Sequence, residues 1–492
     1  CGLSPEEKSL LHCKQTPIVL LKINKNTFNL SKNIAPGLDT IGVMLPYSPL
    51  HHIILNRTGF PLVMTSANIS NEPLEKDDVK ARDRLRDIVD GFLVHERPIV
   101  NRIDDSVCFF GAGEKRTVRR GRGSAPTPLI LDKKSMPILA CGAHNKNTFC
   151  LLKDEYAFLS HHIGDLGNVL TLKYYKEEVD KYKKLFKIDP VWVAKDLHPG
   201  YLSSIYADEI NLPVIGVQHH HAHIASVMAE YGVVDKVLGI AYDGTGLGSD
   251  GNIWGAEFLL ADLKGFQRVG QLSYAPLPGG DAAIKSPFRG ALGFIYAYKD
   301  EFREYIHHIG RNKAEMIFMQ IEKKLNTPLC SSMGRLFDVV ASIVNLRDFV
   351  DFEGQAAMEL EAIILQCDGY YAYDIEQGDS SFHINVEKLL KGIYRDYTKG
   401  INPGIISAKF HNTIIKFTTE LTIRIRDKYR TNKVVLSGGC FQNKYLLEGL
   451  DKELLKNSFE VLIPSIVPIN DEGISLGQAI IAREQIISGR VL

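Results

Sequence analysis

An apolar strand that runs into a small or polar turn and returns as a second strand occurs twice in this chain. The copies are ILACGAHNKNTFCLL at 138–152 and VLGIAYDGTGLGSDGNIWGAEFLL at 237–260. Such a unit cannot bury its apolar face alone, so two copies with helical sequence between them predict two related α/β lobes. The stretch VLTLKYYKEEVDKYKKLFKI (169–188) is strongly helix-forming. A second helix is expected where Ile406, Phe410, Ile414, Phe417, Leu421 and Ile425 recur in steps of three and four and share one face. Residues 295–330 also read as helical. Ahead of the lobes, the segments PIVLLKI, IGVMLP, FPLVMTS, DGFLVH and SVCFF alternate with turn clusters, an α/β rhythm of short strands. The stretch RRGRGSAPTPLILDKKSMP (119–137) then concentrates Gly, Pro and charge, which predicts a boundary near residue 130 and domains over 1–130 and 131–492.

Charge and cysteine usage narrow the function classes. Lys plus Arg and Asp plus Glu are 58 each, so no global basic field exists to hold nucleic acid. No apolar run approaches the roughly 20 residues that span a bilayer, and no charged start with an apolar core resembles a secretion signal. No nucleic acid and no membrane are therefore expected as partners. The eight cysteines contain no pair with two-residue spacing, which removes zinc-ribbon and thioredoxin-type motifs and fits reduced thiols in a cytoplasmic protein. Cys1 at the first position reads as the start of a fragment, because no signal precedes it as a lipid-anchored Cys would require.

The densest chemical signal is VQHHHAHIAS. His219 and His223 lie four apart, which on a helix puts both imidazoles on one face, as two ligands to one metal ion require. His220 and His221 then point elsewhere; a solvated histidine cluster is the alternative. Imidazole suits a borderline metal such as Zn or Fe, and a hard carboxylate would complete the set. Asp243, at the end of VLGIAY, and Asp471, in VPINDEG, are the candidates, although each also fits a turn or a helix cap. Two glycine-rich turns, DGTGLGSDG (243–251) and LSGGCFQN (436–443), follow apolar strands and would let backbone N–H groups approach a phosphate, or serve as ordinary tight turns. Asn145, Lys146, Asn147 and Thr148 form a polar loop between two strands. In the first region LPYSPLHH (45–52), MTSANISNEP (64–73), RIDDSV (102–107) and RRGRG (119–123) combine hydroxyls, amides and arginines, types that bind nucleotides in α/β clefts and equally make caps and surface charge.

Taken together these motifs carry a resemblance. LPYSPLHH, MTSANISNEP, IDDSV and RRGRGSAP resemble the second half of a YrdC-like domain, the fold that makes carbamoyl-type adenylates from ATP. GAHNKNTF, LSHHIGDLGN, DLHPGY, VQHHHAHIAS, DGTGLGSDGNIWGAEF, LPGGDAA, SSMGRLFD, FEGQAA, LSGGCFQN and NDEGISLGQA are similar to a two-lobed Kae1-like domain of the actin, Hsp70 and sugar-kinase superfamily. In this order, essentially end to end, they resemble the HypF family, the carbamoyltransferases of nickel-iron hydrogenase maturation.

The resemblance implies an ATP-dependent reaction, with Mg accompanying the ATP. A carbamoyl group from carbamoyl phosphate becomes carbamoyl adenylate and passes to the C-terminal Cys of a partner, HypE, on the route to cyanide ligands. It implies a divalent metal, Zn or Fe, on His219, His223, Asp243 and Asp471, with Lys146 and Asp243 catalytic. Gly244, Gly246, Asp338, Gly438, Gly439 and Asn443 fall on its nucleotide loops, and Ser66, Asn68, Ser106 and Arg120 on YrdC-like nucleotide motifs. From the glycine loop, Gly439→Val is expected to weaken nucleotide binding about tenfold or more while metal content changes much less. The family's opening acylphosphatase-like domain, its Cys-rich zinc modules and the start of its YrdC-like domain have no counterpart in this sequence. Adenylate formation is accordingly expected to fail while transfer from supplied adenylate persists. Enzymes of tRNA threonylcarbamoyladenosine synthesis and small-molecule O-carbamoyltransferases share the two folds. The triple histidine and the order of the two parts favour the hydrogenase branch.

Overall fold

The computed structural model describes residues 2–24, 31, 33–70 and 72–490; the expectation for Cys1 lies outside them. Three main sheets organise the chain. The first contains β1 (Ile18–Lys22), β2 (Thr40–Val43), β3 (Val107–Gly111) and β4 (Glu114–Arg119) in the order β2-β1-β3-β4. The second contains β5 (Leu129–Ala140), β6 (Cys150–Leu159), β7 (Trp192–Asp196) and β8 (Val214–Val217) in the order β6-β5-β7-β8. After β9 (Val237–Tyr242), β10 (Ala256–Ala261) and β11 (Phe266–Leu272), a two-stranded sheet joins β12 (Ala275–Pro276) to β13 (Leu329–Cys330). The seven-stranded sheet adds β14 (Asp374–Gln377), β15 (Phe382–Asn385), β16 (Lys433–Ser437) and β17 (Glu460–Leu462), ordered β14-β15-β11-β10-β9-β16-β17.

The two sequence copies become two equivalent hairpins. β5 pairs antiparallel with β6 and parallel with β7; β9 pairs antiparallel with β10 and parallel with β16. All six residues of β9 are buried, as expected of a central strand covered on both faces. The covering helices follow from their apolar stripes. In Val169–Phe186, capped by Asn168, the buried positions Thr171, Tyr174, Tyr175, Glu178, Val179 and Tyr182 recur at helical spacing. In the 27-residue helix Pro403–Tyr429, Ile406, Phe410, Ile414, Phe417, Leu421 and Ile425 are all inaccessible to solvent. Each such side chain contributes about 1.5–3 kcal/mol relative to exposure. Between 295 and 330 the helices Arg303–Ile309 and Arg311–Glu322 follow a 3-10 segment.

Ends of parallel strands gather on one side: β7 ends at Asp196, β8 leads into His219, β9 into Asp243 and β16 into Gly438. Carboxyl ends of parallel strands are where open α/β sheets place their ligands. One expectation fails. FPLVMTS and DGFLVH form no strand, and no strand lies between β2 and β3 among the described residues. Val63 and Leu93 are 75% and 77% exposed. An apolar segment becomes a strand only where a neighbour completes its ladder, and these two have none. No helix among the described residues is long and apolar enough to cross a membrane.

Candidate active site

His219 opens the helix His219–Glu230, where the Gln218 side chain accepts from His221 N at 2.9 Å and caps the first turn. The i, i+4 spacing holds the His219 and His223 rings 5.2 Å apart. His220 and His221 turn away, the former toward Gln218 and the latter onto the Asp262 carbonyl. Asp243 follows β9 directly, and Asp471 precedes the helix Ile474–Ile487. Those two helices meet closely: a Cβ on Gly477 would stand 1.9 Å from the Ala222 carbonyl oxygen. Only glycine permits that approach, and it carries Asp471 to the histidines.

The result is a compact N/O cluster. Nε2 of His219 lies 3.4 Å from Asp243 Oδ2 and 3.9 Å from Asp471 Oδ1, while Nε2 of His223 lies 3.6 Å from each carboxylate. A tetrahedral ion with arms of about 2.1 Å needs ligand separations near 3.4 Å, so the spacing fits a cation of zinc or iron size. The buried His223 Nε2 has no hydrogen-bond partner, as expected of a ligand nitrogen. The outer contacts orient the set. His219 Nδ1 is 2.8 Å from Asp196 Oδ2, which leaves Nε2 facing the cluster, and Asp243 Oδ1 accepts from Gly439 N at 3.0 Å. Burial opposes charge on His219, but Asp196, Asp243 and Asp471 outweigh it and hold its pKa well above the ordinary value. Asp243, despite its own desolvation, is held well below the carboxylate range by the two imidazoles. The cluster therefore demands positive charge, which protons or a metal ion supply.

Lys146 approaches from the hairpin β5–β6. Its backbone N–H binds Asp165 and its Nζ lies 2.7 Å from Glu353 Oε2. Burial works against its charge, yet Glu353, Asp471 and Asp243 raise its pKa above the ordinary value, so it remains a cation beside the cluster. Asn147 and Thr148 are buried: Asn147 holds the Cys141 and Ala143 carbonyls, and Thr148 holds the Glu472 carbonyl, steadying the segment that bears Asp471.

The glycines divide. Gly244 is open, whereas a Cβ on Gly246 would stand 2.5 Å from His220 Cε1, so Gly246 makes room for the imidazoles. Gly438 has φ 108° and abuts the Tyr242 carbonyl. Gly439 has no left-handed backbone, and its Cβ position lies 3.0 Å from Asp243 Oδ1. That corrects the ground for the Gly439→Val expectation: this glycine needs no left-handed backbone, and its Cβ would press on a carboxylate of the His/Asp cluster. Asp338 is buried beside Arg335, and burial pushes its carboxyl up to about 6. Asn443 caps the helix Lys444–Lys456 and bonds His411.

Family models match three successive stretches. Residues 3–121 match the Sua5, YciO and YrdC model, described as telomere recombination; 133–230 match the HypF Kae1-like domain; 239–478 match the carbamoyltransferase Kae1-like domain, second subdomain. A full-length HypF crystallised in a phosphate- and nucleotide-bound form superposes with TM-score 0.97 and 52% identity, over 99% of this chain and 77% of that one. The chain belongs to the HypF carbamoyltransferase family. Its fold is α/β, a YrdC-like part followed by a Kae1-like part. Carbamoyltransferase HypF of Synechocystis sp. is 40% identical over 96% of this chain and 63% of its own length. The chain thus spans somewhat under two thirds of that relative. A carbamoyltransferase HypF homolog of Cupriavidus necator is 33% identical over 71% of this chain and 92% of its own length.

Within this HypF-family chain the cluster draws its histidines from one Kae1-like match and its carboxylates from the next. The residues singled out in the YrdC-like part stand elsewhere. Ser66 and Asn68 bond each other on an exposed bend. Ser106 is buried under Arg122 and Gly121; Arg120 is buried against the Thr127 carbonyl, its backbone N–H on Glu472. No hydrogen bond among the described residues joins the first pair to the second. Sequence reasoning passed over Asp196, Glu353, Arg335 and Glu472. Asp196 carried the same signal as Asp243, an acid at the end of an apolar strand, in VWVAKD. Glu472, beside Asp471, binds both Arg120 N and His162 and so ties the YrdC-like part to the cluster.

Proposed function

We propose that this chain is an ATP-dependent carbamoyltransferase that moves a carbamoyl group from carbamoyl phosphate, through carbamoyl adenylate, to the C-terminal Cys of HypE for hydrogenase maturation in the cytoplasm. The observation that carries the reading is the four-residue N/O cluster, buried at His219, His223 and Asp243 and half-buried at Asp471, bordered by the loops at Gly244 and Gly438–Gly439. The nucleotide-bound HypF relative supports ATP use, with Mg accompanying it. When bound by His219, His223, Asp243 and Asp471, a Zn or Fe ion supplies Lewis acidity toward a phosphate or acyl oxygen. Asp196 orients His219, and Lys146 sets a fixed cation beside the reacting group.

In the transfer step the partner's thiolate sulfur forms a bond to the carbamoyl carbon, the carbon–oxygen bond to the adenylate phosphate breaks, and AMP leaves with the electron pair. The chain's own thiol near the cluster is unsuited to that part: burial, reinforced by Asp243, holds Cys440 well above the ordinary thiol range. On this reading residues 1–130 hold the C-terminal part of an adenylate-making unit, with Ser66, Asn68, Ser106 and Arg120 on its nucleotide side. Residues 131–492 form the transfer unit, with Asp338 and Asn443 supporting its glycine loops. Mass spectrometry of HypE after incubation with this protein, ATP, Mg and carbamoyl phosphate, and in parallel with carbamoyl adenylate, tests the proposal. One carbamoyl adduct on the C-terminal Cys is expected in the adenylate arm; an unmodified Cys in both arms would refute it.

A further inference from the structure

Arg335 lies in the first turn of the helix Met333–Ile343 and is 4% exposed. Its Nε and Nη1 are sealed from solvent and neither has a hydrogen-bond partner. Nη1 stands 2.8 Å from Asp338 Oδ2, near enough for charge pairing but out of line for a hydrogen bond. Nη2 faces the first glycine loop, where a Cβ on Gly244 would stand 3.7 Å from it. Buried donors left idle cost about 1–3 kcal/mol each, and native structures keep few of them without a reason. The helix end itself is closed to a ligand. Met333, Gly334 and Arg335 donate their backbone N–H groups to the Gly255 carbonyl, the Asp243 carbonyl and Ser332 Oγ. What the helix offers the cleft is the guanidinium.

We propose that Arg335 binds the phosphate of an adenylate in the space before Gly244. Gly244 follows Asp243 in the chain, so an anion there lies beside the metal cluster, where the phosphate bonded to the transferable acyl group belongs. A guanidinium suits the task because it stays charged when desolvated, and its Nη2, the nitrogen that the loop can reach, carries two N–H donors for phosphate oxygen. Asp338, one turn on, is a positioning residue that holds Nη1 and so keeps Nη2 aimed at the loop. The inference rests on the nucleotide reading above and adds the residue and the phosphate concerned.

Calorimetric titration of the full chain with AMP and with adenosine separates a phosphate contact from a structural role. Arg335→Gln is expected to lose about tenfold or more in AMP affinity and less than twofold for adenosine, one decade being about 1.4 kcal/mol. Gly244→Ala serves as the second variant, since its Cβ meets only ordinary contacts in the protein yet enters the anion's space. Its AMP affinity is expected to fall several-fold with adenosine unaffected. Equal losses for AMP and adenosine in Arg335→Gln, or unchanged AMP affinity in that variant when folded, would overturn the proposal. If Arg335→Gln does not fold, unchanged AMP affinity in Gly244→Ala overturns it. Wild-type protein that binds AMP while both variants match it sinks this inference alone; wild-type protein that binds neither ligand sinks the nucleotide reading with it.

Discussion

The YrdC-like part and the cleft of the Kae1-like part treat similar apolar sequence in opposite ways. In the cleft, VLGIAY becomes a strand with every residue buried and delivers Asp243 from its end. In the YrdC-like part, the apolar runs of FPLVMTS and DGFLVH leave Val63 and Leu93 mostly exposed, and the small core there is Leu11, Val19, Leu21 and Cys108. Burial follows from the presence of ladder partners and covering helices, and composition only permits it. Chemistry follows burial: the cluster carboxylate Asp243 is held by neighbours on both sides, whereas Ser66 and Asn68 bond each other on an open bend.

The strongest test of that contrast removes the cluster's unpartnered nitrogen. His223→Ala is expected to take bound metal from about one equivalent per chain to a small fraction of that, because one histidine and two carboxylates beside a fresh cavity hold a borderline cation more weakly than the full mixed N/O set. Asp196→Asn should act more mildly, weakening metal affinity about 10- to 100-fold through His219. Elemental analysis and competition with a chelating dye measure both. Equal metal content in wild type and His223→Ala would deny that the buried cluster differs chemically from the exposed bend.

Legibility in the sequence tracked the same division. His219 and His223 were readable because helix geometry fixes what lies four residues on, and Asp243 because a buried strand must end in a turn. Asp471 was readable as an acid ahead of a small-residue helix, but its approach depends on Gly477 against Ala222, a contact between segments far apart in the chain. Glu353 and Arg335 escaped for that reason, since neither has a local pattern and both reach the cleft through tertiary packing. Gly439 was assigned to nucleotide contact alone because its N–H bond to Asp243 crosses nearly 200 residues. The missing strands in the YrdC-like part were misread because periodicity reports apolar content and says nothing of a ladder partner.

Gly439→Val should come next in size. Its side chain would press on Asp243 Oδ1 from a Cβ position 3.0 Å away, so nucleotide affinity is expected to fall about tenfold and metal content to drop measurably with it. Parallel calorimetry and elemental analysis check the pairing. Loss of nucleotide with full metal retention would show that the two sides of the cleft are independent.

Glu361 sharpens the comparison at the junction of the two parts. Burial pushes its carboxyl up to about 7, against the backbone N–H bonds from Tyr445 and Lys444, and Asp39 of the YrdC-like part pushes the same way as burial. The folded state then holds a proton that the unfolded chain releases near pH 4.5, so this group costs stability progressively as pH rises from about 4.5 to about 7, with no further change above. Glu361→Gln keeps an acceptor for Tyr445 and removes the charge. It is expected to match wild type at pH 4 and to exceed it at pH 8 by on the order of 1–2 kcal/mol. Denaturant midpoints at the two pH values measure this, and a variant less stable than wild type at pH 8 would contradict the assignment.

The smallest effect is expected where apolar sequence lies open. Leu93 is 77% exposed, so Leu93→Ser removes little buried area and leaves no cavity. Surface changes of this kind stay within about 0.5 kcal/mol. The thermal midpoint and the metal content of Leu93→Ser should therefore equal those of wild type within error. A midpoint lowered by several degrees would mean that this segment packs against something in solution, and the difference between the YrdC-like part and the cleft would then be one of partners and not of sequence.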